Sequence, residues 1–248
     1  MRVQQQVGYV LHSRPYSETS LILDVFTQNY GRLALIAKGA RRLKSKLRGL
    51  LLPFQALSIS WSGKGELPTV SAAEADGFGL TLRGDAWVCG CYMNELLMRI
   101  LHRYDPHEAL YLSYSDSLGR LIDSQTREQT LRLFEKQLLR ELGYALVLDT
   151  EADGRTPIDA TAQYRYIPEH GPRLSRPSRD RNGLMITGKS LLALSSGVLD
   201  DVEVREECKR LNRAMLDRQL EGRTLGTRRL MWRLRAAERA AAKCVENN

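Results

Sequence analysis

The first eighty residues alternate between apolar and polar positions in short runs, as β-strands with one buried face do. Glycine-containing turns separate the runs, with Asn29-Tyr30-Gly31 after the second and Ser62-Gly63-Lys64-Gly65 after the fourth. Five short strands cannot bury both faces as an open sheet, so the pattern predicts a small barrel of the OB-fold or SH3-like type. The predicted strands are Val7 to Ser13, Ser20 to Thr27, Arg32 to Ala37, Pro53 to Trp61 and Leu67 to Ala73.

The period becomes helical after Gly84. From Asp85 to Arg103 apolar residues cover almost the whole circumference, which predicts a helix at the centre of a bundle. A second helix with one apolar stripe follows. Thr126 and Gln129 have the capping-box spacing that opens a third helix, which Gly143 ends.

Residues 150–187 form an excursion rich in Pro, Gly, Arg and Asp, in which only Tyr164 to Ile167 and Leu184 to Ile186 resemble strands. Helices are predicted again over Asp201 to Leu220 and Thr227 to Val245. The chain is therefore predicted to be an α+β protein, with a barrel domain over residues 1–80 and a helical bundle domain over residues 81–248.

The densest charge lies between the third and fourth predicted strands, where the sequence reads KGARRLKSKLR and contains no acidic residue. The whole chain carries a formal net charge of +8. A cationic run held on a folded scaffold favours a polyanion, most simply a phosphate backbone, although a solvated loop is the alternative. The candidate phosphate-binding residues are Lys38, Arg41, Arg42, Lys44, Lys46 and Arg48.

Other side chains could assist this run. Arg14 and Arg32 would add charge if their loops share its face, and Tyr16 or Trp61 could stack bases. For Trp61 a core position is favoured, because its strand alternates and one face must be buried.

Residues 183–190 match GxxxxGK[ST], a pattern whose backbone amides and lysine bind nucleotide phosphates. The context does not fit, because RPSRDRN precedes the match in place of a buried strand and Leu184 to Ile186 resembles a strand inside it. We predict that Thr187 caps a helix starting at Gly188 and that Lys189 holds no nucleotide. No histidine or cysteine cluster has metal-ligand spacing, so neither catalysis nor a cofactor is expected. No stretch approaches the length of a membrane span, and the protein is expected to be cytoplasmic and associated with the nucleoid.

Several long segments of the chain form one ordered set: GYVLHSRPYSETSLILDVFT, GRLALIAKGARRLKSKLRGLLLPF, SWSGKGEL, YMNELLMRIL and LRLFEKQLLRELGYAL. Together they resemble the RecO family of bacterial recombination mediators, and ITGKSLLAL matches the same family more weakly. The resemblance implies an OB-fold, a helical domain, binding of single- and double-stranded DNA, and annealing of complementary strands. It also implies work with RecR and the single-strand binding protein SSB to load RecA in DNA repair. Some members hold a four-cysteine zinc site in the excursion, and here that segment contains no cysteine.

The SSB tail implied by this resemblance is acidic and ends in Phe, so its receptor should combine an apolar pocket with a cation. Arg132, beside Leu131 and Phe134 on the third helix, is the candidate, and pairing of Arg132 with Glu128 is the alternative. Two other functions stay open for the chain: an OB-fold RNA-binding protein and a P-loop nucleotide hydrolase.

Overall fold

A computed structural model describes residues 2–77, 79–175, 182–231 and 233. Five strands close into a barrel in the order β1-β2-β3-β5-β4, and all neighbours are antiparallel except β3 and β5. The predicted five-stranded OB-fold barrel is confirmed. Its strands are β1 (Arg2–Tyr16), β2 (Ser20–Thr27), β3 (Gly31–Ala37), β4 (Ala56–Ser62) and β5 (Thr69–Ala75).

Strand β1 begins five residues earlier than predicted. Its first residues are polar except for Val3 and carry no apolar alternation, yet they pair with β4, with Arg2 opposite Ser62. The register shifts between Val3 and Gln6, where Gln5 has a φ of +49° and donates its amide hydrogen to Ser60 Oγ over 2.9 Å. This bulge lets one long strand bend around the barrel and serve two neighbours.

The helices α1 (Gly84–Ile100) and α2 (Glu108–Arg120) belong to the same compact unit as the barrel, which comprises the described residues up to Ile122 and those from Arg223 onward. Asn94 on α1 joins these elements, because it donates to Leu11 O of β1 and accepts from the Tyr114 hydroxyl of α2. The sequence predicts a boundary near residue 80, whereas the compact units divide after Ile122.

In the second unit, residues 123–222, the described residues form three helices and a three-stranded sheet in the order β7-β6-β8. The two predicted strands are present, and β7 was not predicted because its sequence, GPRL, has no apolar alternation. The elements are α3 (Arg127–Glu141), β6 (Gln163–Ile167), β7 (Gly171–Leu174), β8 (Leu184–Thr187), α4 (Gly188–Ser196) and α5 (Val202–Gln219).

The helix ends only partly follow their sequence signals. Gly143 has a φ of +83° and follows the end of α3, as predicted. The predicted capping box is wrong, because Thr126 has a helical conformation and its hydroxyl donates to Asp123, while Gln129 donates to Gly197 O over 2.7 Å. Residues 226–231 are helical, and most of the helix predicted over Thr227 to Val245 lies outside the described residues. No described helix is long and apolar enough to cross a membrane.

Candidate nucleic-acid interface

The cationic run forms an ordered loop between β3 and β4, here called the basic loop (residues 38–48). Three successive turns shape it, in which the amides of Arg42, Ser45 and Arg48 donate to the carbonyls of the residues three positions earlier. Ala40 is buried, and Leu47 packs against the barrel core. Ala40 and Leu47 therefore anchor the loop on the barrel, while Leu43 is 89% exposed among the cations that face solvent.

All six predicted phosphate-binding cations of the basic loop are exposed. None of them forms an ion pair with a carboxylate among the residues that the structure describes. The loop thus presents uncompensated positive charge, which is the electrostatic requirement for a phosphate-binding surface.

Helix α5 is also rich in basic residues, but its charges are compensated. Each of its five Lys and Arg residues has a carboxylate partner at 2.7 to 3.8 Å. The partners are Arg205 with Glu128, Lys209 with Glu206, Arg210 with Glu207, Arg213 with Asp217 and Arg218 with Glu169. Between these two cationic segments, the basic loop is the better candidate for binding a polyanion.

Arg14 lies at the same end of the barrel as the basic loop. Arg41 joins the loop to the β1–β2 turn, since its amide donates to Thr19 O over 2.8 Å and its guanidinium to Ser17 O over 3.2 Å. Arg14 is exposed on β1 just before that turn, as is Tyr16, which is 47% exposed. Arg14 and Tyr16 can therefore extend the candidate phosphate-binding surface.

Arg32 differs from the other predicted cations, because it pairs with a carboxylate and is half-buried at the opposite end of β3. Its guanidinium donates to Leu101 O over 3.2 Å and lies 3.5 Å from the Asp24 carboxylate. Burial lowers the pKa of Arg32, although the charge of Asp24 opposes that change. The expectation that Arg32 shares the face of the basic loop does not match this geometry.

A cleft of about 380 Å³ opens on the barrel beside the β4–β5 connection. Trp61 is 2% exposed, which confirms its predicted position in the core. Its ring packs edge to face on Tyr30 in the cleft wall, with ring centroids 5.3 Å apart. Tyr104, Pro68 and the Gly63-Lys64-Gly65 turn form the rest of its walls. The cleft cannot be predicted from the sequence, because its residues come from three distant segments and form no motif.

The P-loop-like segment has a different geometry from a phosphate-binding loop. Its residues 184–187 form strand β8, which pairs with β6, and the Thr187 hydroxyl accepts from the Ser190 amide to cap α4 as predicted. Lys189 lies 2.7 Å from the Asp201 carboxylate, which raises the pKa of the lysine. The segment therefore serves as a strand and a helix cap.

Arg132 is 7% exposed and donates to Glu135 over 2.9 Å. The alternative partner, Glu128, pairs with Arg205 instead. The two predicted neighbours of Arg132, Leu131 and Phe134, are also buried. All three residues are thus buried, and their role in binding the SSB tail stays a prediction.

Two of the thiols, Cys89 and Cys208, are buried and free, and burial raises the pKa of Cys208 to about 12. Within the described part of the chain, no group of three or more His, Cys, Asp or Glu residues could hold a metal ion. The described side chains therefore include no candidate metal site.

Known protein families and individual relatives match this chain over most of its length. The family model "Recombination protein O N terminal" matches residues 1–78, and "Recombination protein O C terminal" matches residues 82–229. The chain is 46% identical over 235 residues to a DNA repair protein RecO of Nitrosococcus oceani, covering 95% of both chains. It is 46% identical over 230 residues to that of Nitrosospira multiformis, covering 93% of this chain and 95% of the relative. With the RecO protein of Coxiella burnetii it shares 42% over 231 residues, covering 93% and 99%. The chain therefore belongs to the RecO family of DNA repair proteins.

Proposed function

We propose that this chain binds single- and double-stranded DNA through the basic loop and anneals complementary strands. In DNA repair it would act with RecR to help load RecA onto single-stranded DNA coated with SSB. Family membership supports the repair role. The observation that carries the DNA-binding part is the set of six exposed cations without described ion-pair partners.

The proposed mechanism needs no covalent chemistry. Lysine and arginine side chains that neutralise phosphates release condensed counterions, which supplies sequence-independent affinity. When two strands are neutralised on one protein, their mutual repulsion falls while their base edges stay free to pair. Because phosphate contacts carry no base information, the rate of annealing should depend little on sequence.

The direct test is the annealing of complementary strands already coated with SSB. The wild-type protein should accelerate annealing, and the triple variant Arg41→Ala, Arg42→Ala, Lys44→Ala should lose most of this acceleration. The matched control is Lys209→Ala, Arg210→Ala, Arg213→Ala, which removes the same charge from compensated positions on α5. Equal losses in both variants would show that annealing depends on net charge and not on the basic loop.

Two further arms separate the other function classes. Lys189→Ala should anneal like the wild type, and the wild type should not hydrolyse ATP, because Lys189 is paired with Asp201. Magnesium-dependent ATP turnover that is lost in this variant would support a nucleotide hydrolase. An RNA oligomer that displaces single-stranded DNA at much lower concentration than unlabelled DNA would support an RNA-binding protein.

A further inference from the structure

We propose that the cleft lined by Tyr30, Trp61, Lys64, Pro68 and Tyr104 receives one nucleobase of a single DNA strand whose phosphates lie on the basic loop. This inference rests on the proposed function, because it requires a strand on that loop. It adds a stacking contact to the electrostatic contacts that the loop supplies.

The walls of the cleft favour a flat aromatic ligand. Tyr104 is 45% exposed at its rim, and its backbone is fixed by a 2.9 Å hydrogen bond from its amide to Arg32 O. Tyr30 packs on the buried Trp61, so the inner wall is also aromatic. Stacking on such rings holds a base without reading its edge, since every base has a π-face. A volume of about 380 Å³ is near the lower limit for small-molecule sites, which suits a single small planar group.

The positive charge at the cleft and the position of the cleft on the barrel favour a base that is part of a nucleic acid strand. The Pro68 carbonyl in the cleft wall accepts a hydrogen bond from the Ile36 amide of β3 over 2.8 Å. Lys38, the first cation of the basic loop, follows Ile36 by two residues, about 7 Å of extended chain. Lys64 contributes a further exposed cation at the cleft itself. Tyr104 lies farther away, because its hydrogen-bond partner Arg32 precedes Lys38 by six residues, about 20 Å of extended chain. A strand that leaves the basic loop would therefore meet the Pro68 side of the cleft first and would have to continue along β3 to place a base against Tyr104.

The test compares two probes of equal length, an oligodeoxythymidine and an abasic oligomer with the same sugar-phosphate backbone. The wild type should bind the oligodeoxythymidine more tightly, and Tyr104→Asn should lower that affinity at least about fivefold, the lower end of the stacking range. Binding of the abasic oligomer should not change. Asn is chosen because it tolerates the left-handed conformation of Tyr104, whose φ is +60°.

Two variants control for folding and for general aromatic loss. Tyr104→Phe keeps the ring and should retain wild-type affinity for both probes. Tyr144→Asn removes a tyrosine of matched exposure, 46%, from the other compact unit and should change neither affinity. A 5-iodouracil placed in the oligomer should photo-crosslink to Tyr104 in the wild type.

The outcomes separate this inference from the proposed function. If the wild type binds both probes equally, or Tyr104→Asn weakens both alike, the base-binding cleft is excluded while loop-mediated DNA binding stands. If the crosslink forms only elsewhere, the cleft is likewise excluded. If the wild type binds neither probe, the proposed function itself fails.

Discussion

Arg132 forms a buried polar network with Glu135 and Asn212. The Glu135 carboxylate accepts from Arg132 over 2.9 Å and from Asn212 over 3.1 Å, and Asn212 also donates to Arg132 O. Both charged side chains lie between α3 and α5, with at most 9% of either exposed. The network therefore helps to specify how the two helices pack.

Removing one partner of this pair should be more damaging than removing both. Arg132→Met leaves a buried carboxylate without its cation and should lower the free energy of unfolding by about 3–5 kcal/mol. Arg132→Met with Glu135→Met should lower it by less, because no charge is left buried. Urea denaturation of the two variants measures the difference. If Arg132→Met were as stable as the wild type, the buried pairing would be contradicted. Because Arg132 is buried, Arg132→Glu would test folding rather than binding of the SSB tail.

Glu95 provides a second residue-level test, because its carboxylate ties α1 to the start of the helical segment at residue 226. It accepts from the Gly226 and Thr227 amides over 2.9 Å each and from the Thr227 hydroxyl over 2.6 Å. Burial alone would raise the pKa of Glu95, but these hydrogen bonds and the charge of Arg99 outweigh it and lower the pKa. The ionised form is thus favoured in the folded state.

A lowered folded-state pKa means that the contribution of Glu95 is complete above the unfolded value of about 4.3 and is lost as the pH falls through the folded value. Glu95→Gln should therefore destabilise the protein at pH 7, by about 1–2 kcal/mol. The difference from the wild type should shrink below about pH 4. Urea unfolding at several pH values measures this stability difference, and Glu66→Gln, at an exposed position, is the matched control. A pH-independent difference would show that the charge of Glu95 does not matter.

The basic loop and α5 show that the same residue types behave differently in different elements. On α5, carboxylates one helical turn away or on neighbouring segments compensate the arginines and lysines. In the basic loop the sequence contains no acidic residue, and its turns project the cations outward. Local arrangement rather than basic content therefore distinguishes the candidate DNA-binding element.

The salt dependence of DNA binding should report this difference. If the basic loop neutralises about four to six phosphates, the log-log slope for single-stranded DNA should be about −3 to −4, at about −0.7 per phosphate. Arg41→Ala, Arg42→Ala, Lys44→Ala should flatten the slope by about 2 and should weaken binding equally for all sequences. Fluorescence anisotropy titrations at several salt concentrations measure the slope.

The matched α5 triple variant should keep the wild-type slope, because its cations are already paired. A folded basic-loop variant with an unchanged slope would mean that the loop is only solvated. The DNA-binding surface would then have to be sought elsewhere on the chain.

At the scale of the whole molecule, stability should not depend on a metal. Residues 150–187, where some family members hold zinc, contain no cysteine in this chain. Chelation followed by dialysis should therefore leave the melting temperature unchanged, since no structural zinc would contribute to folding. Stoichiometric zinc by elemental analysis, with a lower melting temperature after chelation, would show a site that these residues do not account for.

Features with local causes can be predicted from the order of residues alone. Period-two alternation and glycine turns are properties of neighbouring residues, so they predicted the barrel strands, including β2 at its observed bounds. The absence of acidic residues from the basic loop is also visible in the sequence alone, and so are the segments that resemble the RecO family. The Thr187 cap of α4 was also predictable, because donor and acceptor are three residues apart.

Which polar groups find hydrogen-bond or ion-pair partners far away in sequence depends on the folded arrangement of the chain. Arg32 meets Leu101 O and Asp24, Gln129 donates to Gly197 O instead of completing a capping box, and the cleft joins Tyr30 to Tyr104. Hydrogen bonds and ion pairs depend on distances of a few ångströms, which sequence separation does not specify. The positions of the cations can thus be seen in the sequence, but tertiary packing determines which of these cations remain available to bind phosphate.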